Sequence, residues 1–361
     1  MSRPTFAEIN LDALLANYQL ACQIAPQSKT LAVVKANAYG HGAVKIAQAL
    51  ADHVPAFAVA CIEEALELRN AGIDKPILLL EGSFCREEVD IASAHNFWLL
   101  VENADQIEYL EQASIASPIK VWLAVDTGMH RLGFQHDQLQ QAYQRLSSCP
   151  QVEQPIVLST HFASADNLDN HFTHTQIERY QELTEGLAGE TSLANSAGLL
   201  AWPSAHGSWN RPGFMLYGAS PFSEPQVHAD QLQAVMTLKS KIISLRDIAV
   251  GETVGYSQTW QAKRPSRIAT VAIGYGDGYP RNAVNGTPVV VNGYRTQLVG
   301  RVSMDMITVD VTDISDAQIG TEVELWGEQL CINEVANYSD TIGYELMTRM
   351  PDRVPRIYKK T

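Results

Sequence analysis

Residues 31–42 read LAVVKANAYGHG, and the reading of this stretch decides the fold of the first two-thirds of the chain. Residues 31–34 form an unbroken apolar run, Lys35 ends it, and a soft polar segment follows. An apolar run without alternation suits a parallel strand covered on both faces. The same rhythm returns along the chain: a short apolar run that stops at a polar or small residue, then a helix-like segment of roughly fifteen residues. The runs are TLAVVK (30–35), AFAVA (56–60), PILLLEG (76–82), FWLLVEN (97–103), KVWLAVD (120–126), PIVLSTHF (155–162), TSLANS (191–196) and, weakest, SWNR (208–211). Between them the periodicity is helical. In CIEEALELRNAGI (61–73), Ile62, Ala65, Leu66 and Arg69 share one face and Gly72 supplies a stop. In ENADQIEYLEQA (102–113), Asn103 and Gln106 have the spacing of a capping box ahead of Ile107 and Leu110. Eight such units in series predict a (β/α)8 TIM-type barrel, with a doubly wound open sheet as the competing topology.

The pattern changes after RPGFMLYGAS (211–220). The segment SEPQVHADQ (223–231) is polar, holds a proline and reads as a linker. Beyond it MTLKSKIISL (236–245) alternates, PSRIATVAIG (265–274) has strand character, and TPVVVNGYRTQLV (287–299) sets Asn292-Gly293 between two extended runs. A tight hairpin turn needs positive φ at both central residues, and this pair tolerates it. The expected fold is therefore α/β plus β: a barrel over 1–228, then a mostly antiparallel β domain over 229–361.

The 361 residues are 46% hydrophobic and 18% charged, a globular composition with material for two domains. The net charge of −14 opposes nucleic acid or an anionic membrane as partner. The opening MSRPTFAEIN lacks the apolar core of a leader, and no later stretch is long and apolar enough to span a bilayer. Five scattered cysteines without a Cys-x-x-Cys pair predict a reducing, cytoplasmic setting rather than a disulfide framework.

Barrel chemistry collects at the C-terminal ends of the strands. The residues there are Lys35, Asp126, His161, Asn195 and Arg211. Lys35 has two readings: an amine snorkelling from a strand end, or a nucleophile that condenses with an aldehyde. Spacing alone leaves both open. His161, His171 and His174 lie close in sequence, but without a metal-binding spacing, so no metal is predicted.

AVVKANAYGHG resembles the cofactor-lysine motif of alanine racemases. The resemblance continues through VDTGMHRLGF, STHFASAD, ANSAG, RPGFMLYG, GETVGYSQTW, IGYGDGYPR, GRVSMDM and TIGYELMTRMPDRVPRIY. It covers nearly the whole chain, in order. It implies pyridoxal 5′-phosphate held on the barrel, a homodimer, and a C-terminal β-domain that completes the partner subunit's active site. By the same resemblance, Lys35 links the cofactor and serves as one catalytic base; Tyr256, reaching from the partner, is the other. Racemisation needs proton removal on one face and delivery on the other, so two bases should flank the substrate. Tyr39, Ser196, Gly213, Phe214 and Tyr344 would hold the phosphate, with Asn195 beside them. His161 would stack on the pyridine ring and Arg211 would face its nitrogen, and both could relay charge to Tyr256. Arg131 and the backbone N–H of Met304 would bind the substrate carboxylate, a planar fork suiting a carboxylate. Tyr275 would line the path by which substrate enters.

One departure stands out. Many family members carry a carbamylated lysine two residues before the aspartate of DTGM, and here that position is Ala124. Arg131 must be oriented otherwise, with a bound chloride as one expectation. The implied function is interconversion of L- and D-alanine, supplying D-alanine for peptidoglycan. A broader-specificity racemase on the same fold is the alternative. Amino-acid decarboxylases share the plan, but they usually set a carboxylate at the pyridine nitrogen and a catalytic cysteine in the second domain; Arg211 and Ser303 argue against that. A non-catalytic pyridoxal-phosphate carrier would lack the second domain and its Tyr256.

Overall fold

The computed structural model describes residues 3–360. Seven parallel strands pair in sequence order: Ala32–Val33, Phe57–Val59, Ile77–Leu79, Phe97–Val101, Ile119–Ala124, Val152–Ser159 and Glu190–Ser192. An eighth, Trp209–Asn210, pairs in parallel with Lys29–Thr30, immediately ahead of the first. The Leu31 and Val33 N–H groups donate to the carbonyls of Asn210 and Pro212 (both 3.1 Å), and Arg211 N–H donates to Ala194 (2.9 Å). The ring is thus a barrel and not an open doubly wound sheet, and each of the eight apolar runs supplies one strand of it. Trp98, Trp122 and Trp209 pack together near the strand starts, with Lys120 bonded to Glu190 at 2.6 Å. The open mouth is at the strands' C-terminal ends, where Lys35, Asp126, His161, Asn195 and Arg211 line one cavity.

The helix Ile62–Asn70 buries Ile62, Ala65 and Leu68. Leu66 and Arg69, placed on that face by the sequence pattern, are only half-buried, because the apolar stripe passes through Leu68. Gly72 adopts φ +85°, which ends the helix as expected. Asn103 caps Ala104–Gln112 through the Gln106 N–H (3.0 Å). The return bond from the Gln106 side chain goes one residue further back, to Glu102 N–H (2.8 Å).

The second domain is mostly antiparallel. Its long strand Met236–Ile248 serves Phe6–Asn10, Glu322–Trp326 and Ser266–Val271 in turn. The remaining strands, Ile307–Asp310, Tyr294–Leu298 and Pro288–Val291, close a ring between the last two. Asn292 (φ +48°) and Gly293 (φ +80°) make the expected hairpin turn, with Val291 opposite Tyr294. Outside the ring lies Phe6–Asn10, from the start of the chain, paired in parallel with Arg356–Lys359 from its end. Two short helices of this domain, Ile332–Asn337 and Gly343–Thr348, sit against the barrel mouth. Asn333 donates to the Ser220 carbonyl (2.8 Å), and Tyr344 stacks on Phe214 at 3.6 Å.

Candidate active site

Two residues beyond the first barrel strand, Lys35 projects into a cavity of about 990 Å³ at the barrel mouth. Directly after it the backbone turns left-handed. Ala36, Asn37, Ala38 and Tyr39 have φ of 50–54°, a conformation that costs about 1–2 kcal/mol per residue with a side chain. Neighbours hold this turn at both ends. Glu64 accepts from the N–H groups of Ala36 (2.6 Å) and Ala60 (2.8 Å), and Asn37 accepts from Ala43 (2.8 Å). Arg356 donates to Gly40 (3.0 Å) and the Tyr358 hydroxyl donates to His41 (2.9 Å). Space is tight here: a Cβ on Gly40 would lie 2.0 Å from the Met347 carbonyl oxygen. The turn fixes the direction of the strand end that bears Lys35.

The left-handed turn also aims Tyr39 back into the barrel mouth. Its ring stacks on Tyr217 at 4.8 Å, and burial pushes its hydroxyl up to about 12, so it stays protonated and can donate. A Cβ on Gly213 would come within 2.5 Å of that hydroxyl, so glycine here lets Tyr39 approach the backbone closely. Ser196 opens the helix Ser196–Ala201, which Asn195 caps through Gly198 N–H (2.9 Å). The Ser196 oxygen accepts from Gly213 and Met215 N–H (3.0 and 3.3 Å), which leaves its own proton free to donate. Phe214 and Tyr344 close this end by stacking.

Arg211 is pinned among backbone oxygens. It donates to the carbonyls of Ser192 (2.9 Å), Thr160 (2.5 Å) and Leu193 (3.4 Å), and to the Ser192 hydroxyl. Burial lowers its pKa to about 10, which still leaves it a cation at neutral pH. His161 follows the sixth strand, and its main chain is held by Gln176, which donates to the His161 carbonyl (3.0 Å) and to Thr127 Oγ1 (3.0 Å). The His161 ring stands open to the cavity, with protein packed around the mouth on every side of it. Desolvation first, then the cations Arg211, Arg131 and Lys35, bring it down to about 3, so the imidazole is neutral.

Arg131 rides on the loop after the fifth strand. That loop is closed by paired backbone: Phe134 N–H donates to Ala124 (2.9 Å) and Asp126 N–H to Phe134 (3.0 Å). Asp126 gathers it further, accepting from Gly128 and His130 N–H (both 3.0 Å), His130 Nδ1 (2.9 Å) and Gln135 (2.6 Å). Burial opposes ionisation of Asp126, but these donors outweigh it and its pKa is lowered. Glu102, Glu81 and Ser83 line the cavity on the same side as Arg131 and Ala124.

One cavity therefore brings together Lys35, Tyr39, Arg131, His161, Asn195, Ser196, Arg211, Gly213, Phe214 and Tyr344. Tyr256, Tyr275 and Met304 are not among its walls. All three lie in the second domain, exposed by 68%, 40% and 54%. Tyr275 and Met304 share one surface, since Tyr275 and Gly276 N–H donate to the carbonyls of Ser303 and Met304 (3.0 and 2.8 Å). His171 and His174 are exposed at the start of the helix Phe172–Thr184. Glu64, Glu102, Gln176 and Tyr217 escape the sequence reading. Each sits in a stretch that reads as ordinary helix, strand end or turn, and only the fold directs it to the mouth.

Residues 9–221 match the family "Alanine racemase, N-terminal domain" and residues 235–358 match "Alanine racemase, C-terminal domain". The chain is 52% identical to the alanine racemase of Chromohalobacter salexigens, over 99% of both chains. It is 51% identical to the catabolic alanine racemase of Pseudomonas putida, again over 99% of each. Among solved structures, the biosynthetic alanine racemase of Pseudomonas aeruginosa superposes with a TM-score of 0.96 at 47% identity, covering 99% of this chain and all of that one. An alanine racemase of Bartonella henselae, solved with covalently bound pyridoxal phosphate, gives 0.89 at 32% identity over 99% of each.

Proposed function

The chain belongs to the alanine racemase family, and we propose that it interconverts L- and D-alanine by moving the Cα proton between two opposed bases, Lys35 and the Tyr256 of a second copy. The observation that carries this is the cavity itself. It offers one primary amine at a strand end, neutral hydroxyl donors at one side and an arginine at the other. Those residues fit pyridoxal 5′-phosphate. Lys35 can condense with its aldehyde; the Tyr39 and Ser196 hydroxyls, which line the cavity beside Gly213, can take its phosphate. The cofactor, when bound, supplies a conjugated ring that takes up the electron pair left as Cα loses its proton.

The chain's own residues do the rest. Arg211, held as a cation by three carbonyls, would donate to the ring nitrogen and keep it from taking a proton. His161, held neutral, offers a flat face to the ring and can pass a hydrogen bond between Arg211 and Tyr256. Arg131 orients the substrate carboxylate. Lys35 exchanges the proton on one face of Cα. Tyr256 would serve the opposite face, and the exposure of Tyr256, Tyr275 and Met304 supports their docking over the cavity of a second copy, with Met304 N–H on the substrate carboxylate and Tyr275 on the path inward. A homodimer with shared sites follows.

We further propose a domain division at 228/229, with the strand Phe6–Asn10 lent by the first segment to the second domain's sheet. The role is D-alanine supply for peptidoglycan in the cytoplasm, a setting that suits five free cysteines. No helix among the described residues is long and apolar enough to cross a membrane. The test is incubation of the loaded enzyme with L-alanine in D2O, followed by proton NMR and chiral chromatography. Loss of the Cα proton with appearance of D-alanine is expected, and Lys35→Ala and Tyr256→Phe should each abolish it. Alanine that keeps its proton, or comparable turnover of lysine or arginine, would overturn the assignment.

A further inference from the structure

Ala124 gives Arg131 nothing to bond to, yet a carboxylate stands beside it. The fourth and fifth strands pair in parallel with Leu99 beside Val121, Leu100 beside Trp122 and Val101 beside Leu123. Continued one step past the last paired residues, this register would set Glu102 alongside Ala124. Neighbouring strands are about 4.8 Å apart, and residues in register on parallel strands project to the same side. Glu102 and Ala124 are both buried (8% exposed) and both line the cavity that holds Arg131. We propose that Glu102 is the positioning residue for Arg131, its carboxylate reaching from the adjacent strand into the space beside the Ala124 methyl and holding the guanidinium for an amino-acid carboxylate.

Three features of the site support this. The Glu102 main chain is fixed: Gln106 accepts from its N–H (2.8 Å) and donates to the carbonyls of Glu81 (3.0 Å) and Ser83 (3.2 Å), so the strand end cannot swing out. Among the described residues, no hydrogen bond or ion pair engages either the Glu102 carboxylate or the Arg131 guanidinium. The two feel each other electrostatically. Burial raises the Glu102 pKa to about 7, Glu81 adds to the rise, and Arg131 opposes it. The charged groups facing Glu102 are thus Glu81 from the end of the third strand and Arg131 from the loop after the fifth, with Asp105, Lys35 and His161 elsewhere on the same cavity wall. A fixed carboxylate in this place also disfavours a free anion such as chloride there, since like charges would be confined together.

The inference rests on the racemase reading and is tested separately from it. Propionate, a carboxylate without the reacting amine, is titrated calorimetrically into the holoenzyme between pH 6 and 9, alongside KM and kcat for L-alanine. With Glu102→Gln, propionate binding should weaken and the alanine KM rise, each roughly tenfold, the size of one coupled pair of neighbours. The loss should fall on KM more than on kcat, and Glu102→Asp should recover most of it. In the unsubstituted enzyme, propionate affinity should fall as pH drops below about 7 and Glu102 takes a proton, and Glu102→Gln should be flat across that range. Unchanged or tighter propionate binding in Glu102→Gln would overturn the proposal. So would an affinity in the unsubstituted enzyme that rises saturably with chloride. Absence of racemisation with the propionate pattern intact would instead sink the functional reading and leave the Glu102–Arg131 pairing standing.

Discussion

Replacing Glu64 by glutamine tests what holds the backbone behind Lys35. The four residues from Ala36 to Tyr39 together store roughly 4–8 kcal/mol of left-handed strain. Four side-chain bonds offset it: Glu64 to Ala36, Arg356 to Gly40, Asn37 to Ala43 and Tyr358 to His41. Bonds to charged partners contribute about 1.5–3 kcal/mol each and neutral ones about 0.5–1.5, so the two sides are of similar size. Glutamine keeps the shape of Glu64 but has a single accepting oxygen, so it can serve Ala36 or Ala60 and not both. The expected loss is about 1.5–3 kcal/mol of local stability, equivalent to a roughly ten- to 150-fold fall in amide protection. Hydrogen–deuterium exchange of the holoenzyme, followed on peptides spanning 35–43, reads this directly. Protection within twofold of the unsubstituted enzyme would mean that the carboxylate does not hold the turn and that the strain is balanced elsewhere.

If the two bases come from different subunits, mixing inactive Lys35→Ala and Tyr256→Phe dimers should restore activity. A mixed dimer contains one site with both bases intact, and half the dimers are mixed at equilibrium, so about a quarter of the unsubstituted rate should return on exchange. No recovery after demonstrated subunit exchange would refute a shared site. The third prediction concerns pH. His41 is fully buried, and burial, reinforced by Arg356 and only partly countered by its bonds to Tyr39 and Ala38, lowers its pKa from 6.5 to about 4. The unfolded chain binds that proton more readily, so this stability is present above pH 6.5 and is lost as pH falls towards 4, amounting to about 3 kcal/mol. His41→Asn, which keeps a donor for the Ala38 and Tyr39 carbonyls, should flatten the fall in urea midpoint between pH 6.5 and 4; an unaltered slope would exclude His41 as its source.

The barrel was legible because burial on both faces leaves a mark in composition: each apolar run ending in a polar residue proved to be a strand. The hairpin at Asn292-Gly293 was legible for a different reason, since few residue pairs accept two positive φ angles. The turn after Lys35 was not. Ala-Asn-Ala-Tyr holds no glycine, and its left-handed course is imposed by Glu64, Arg356 and Tyr358, which come from distant parts of the chain. Phe6–Asn10 was missed because an isolated five-residue segment carries too little pattern, and its partners lie at the far end of the sequence. At the site, Lys35 and Arg211 could be picked out as strand-end residues, whereas Glu102 gains meaning only from its register with Ala124.

The seating of Phe6–Asn10 between Met236–Ile248 and Arg356–Lys359 has a consequence for how the protein is made. The barrel strands are contiguous and can assemble as they leave the ribosome, but Ile9 must wait for Met236. At roughly 5–20 residues per second that is a delay on the order of ten to forty seconds, during which an apolar edge-forming segment has no mate. Its second neighbour, the strand Arg356–Lys359, is synthesised more than a hundred residues later still. Synthesis of that strand therefore completes the pairing, and the same strand carries Arg356 and Tyr358, the residues that clasp the turn behind Lys35. A nascent chain stalled before Arg356 would own a barrel and a lysine, but not the clasp that aims it.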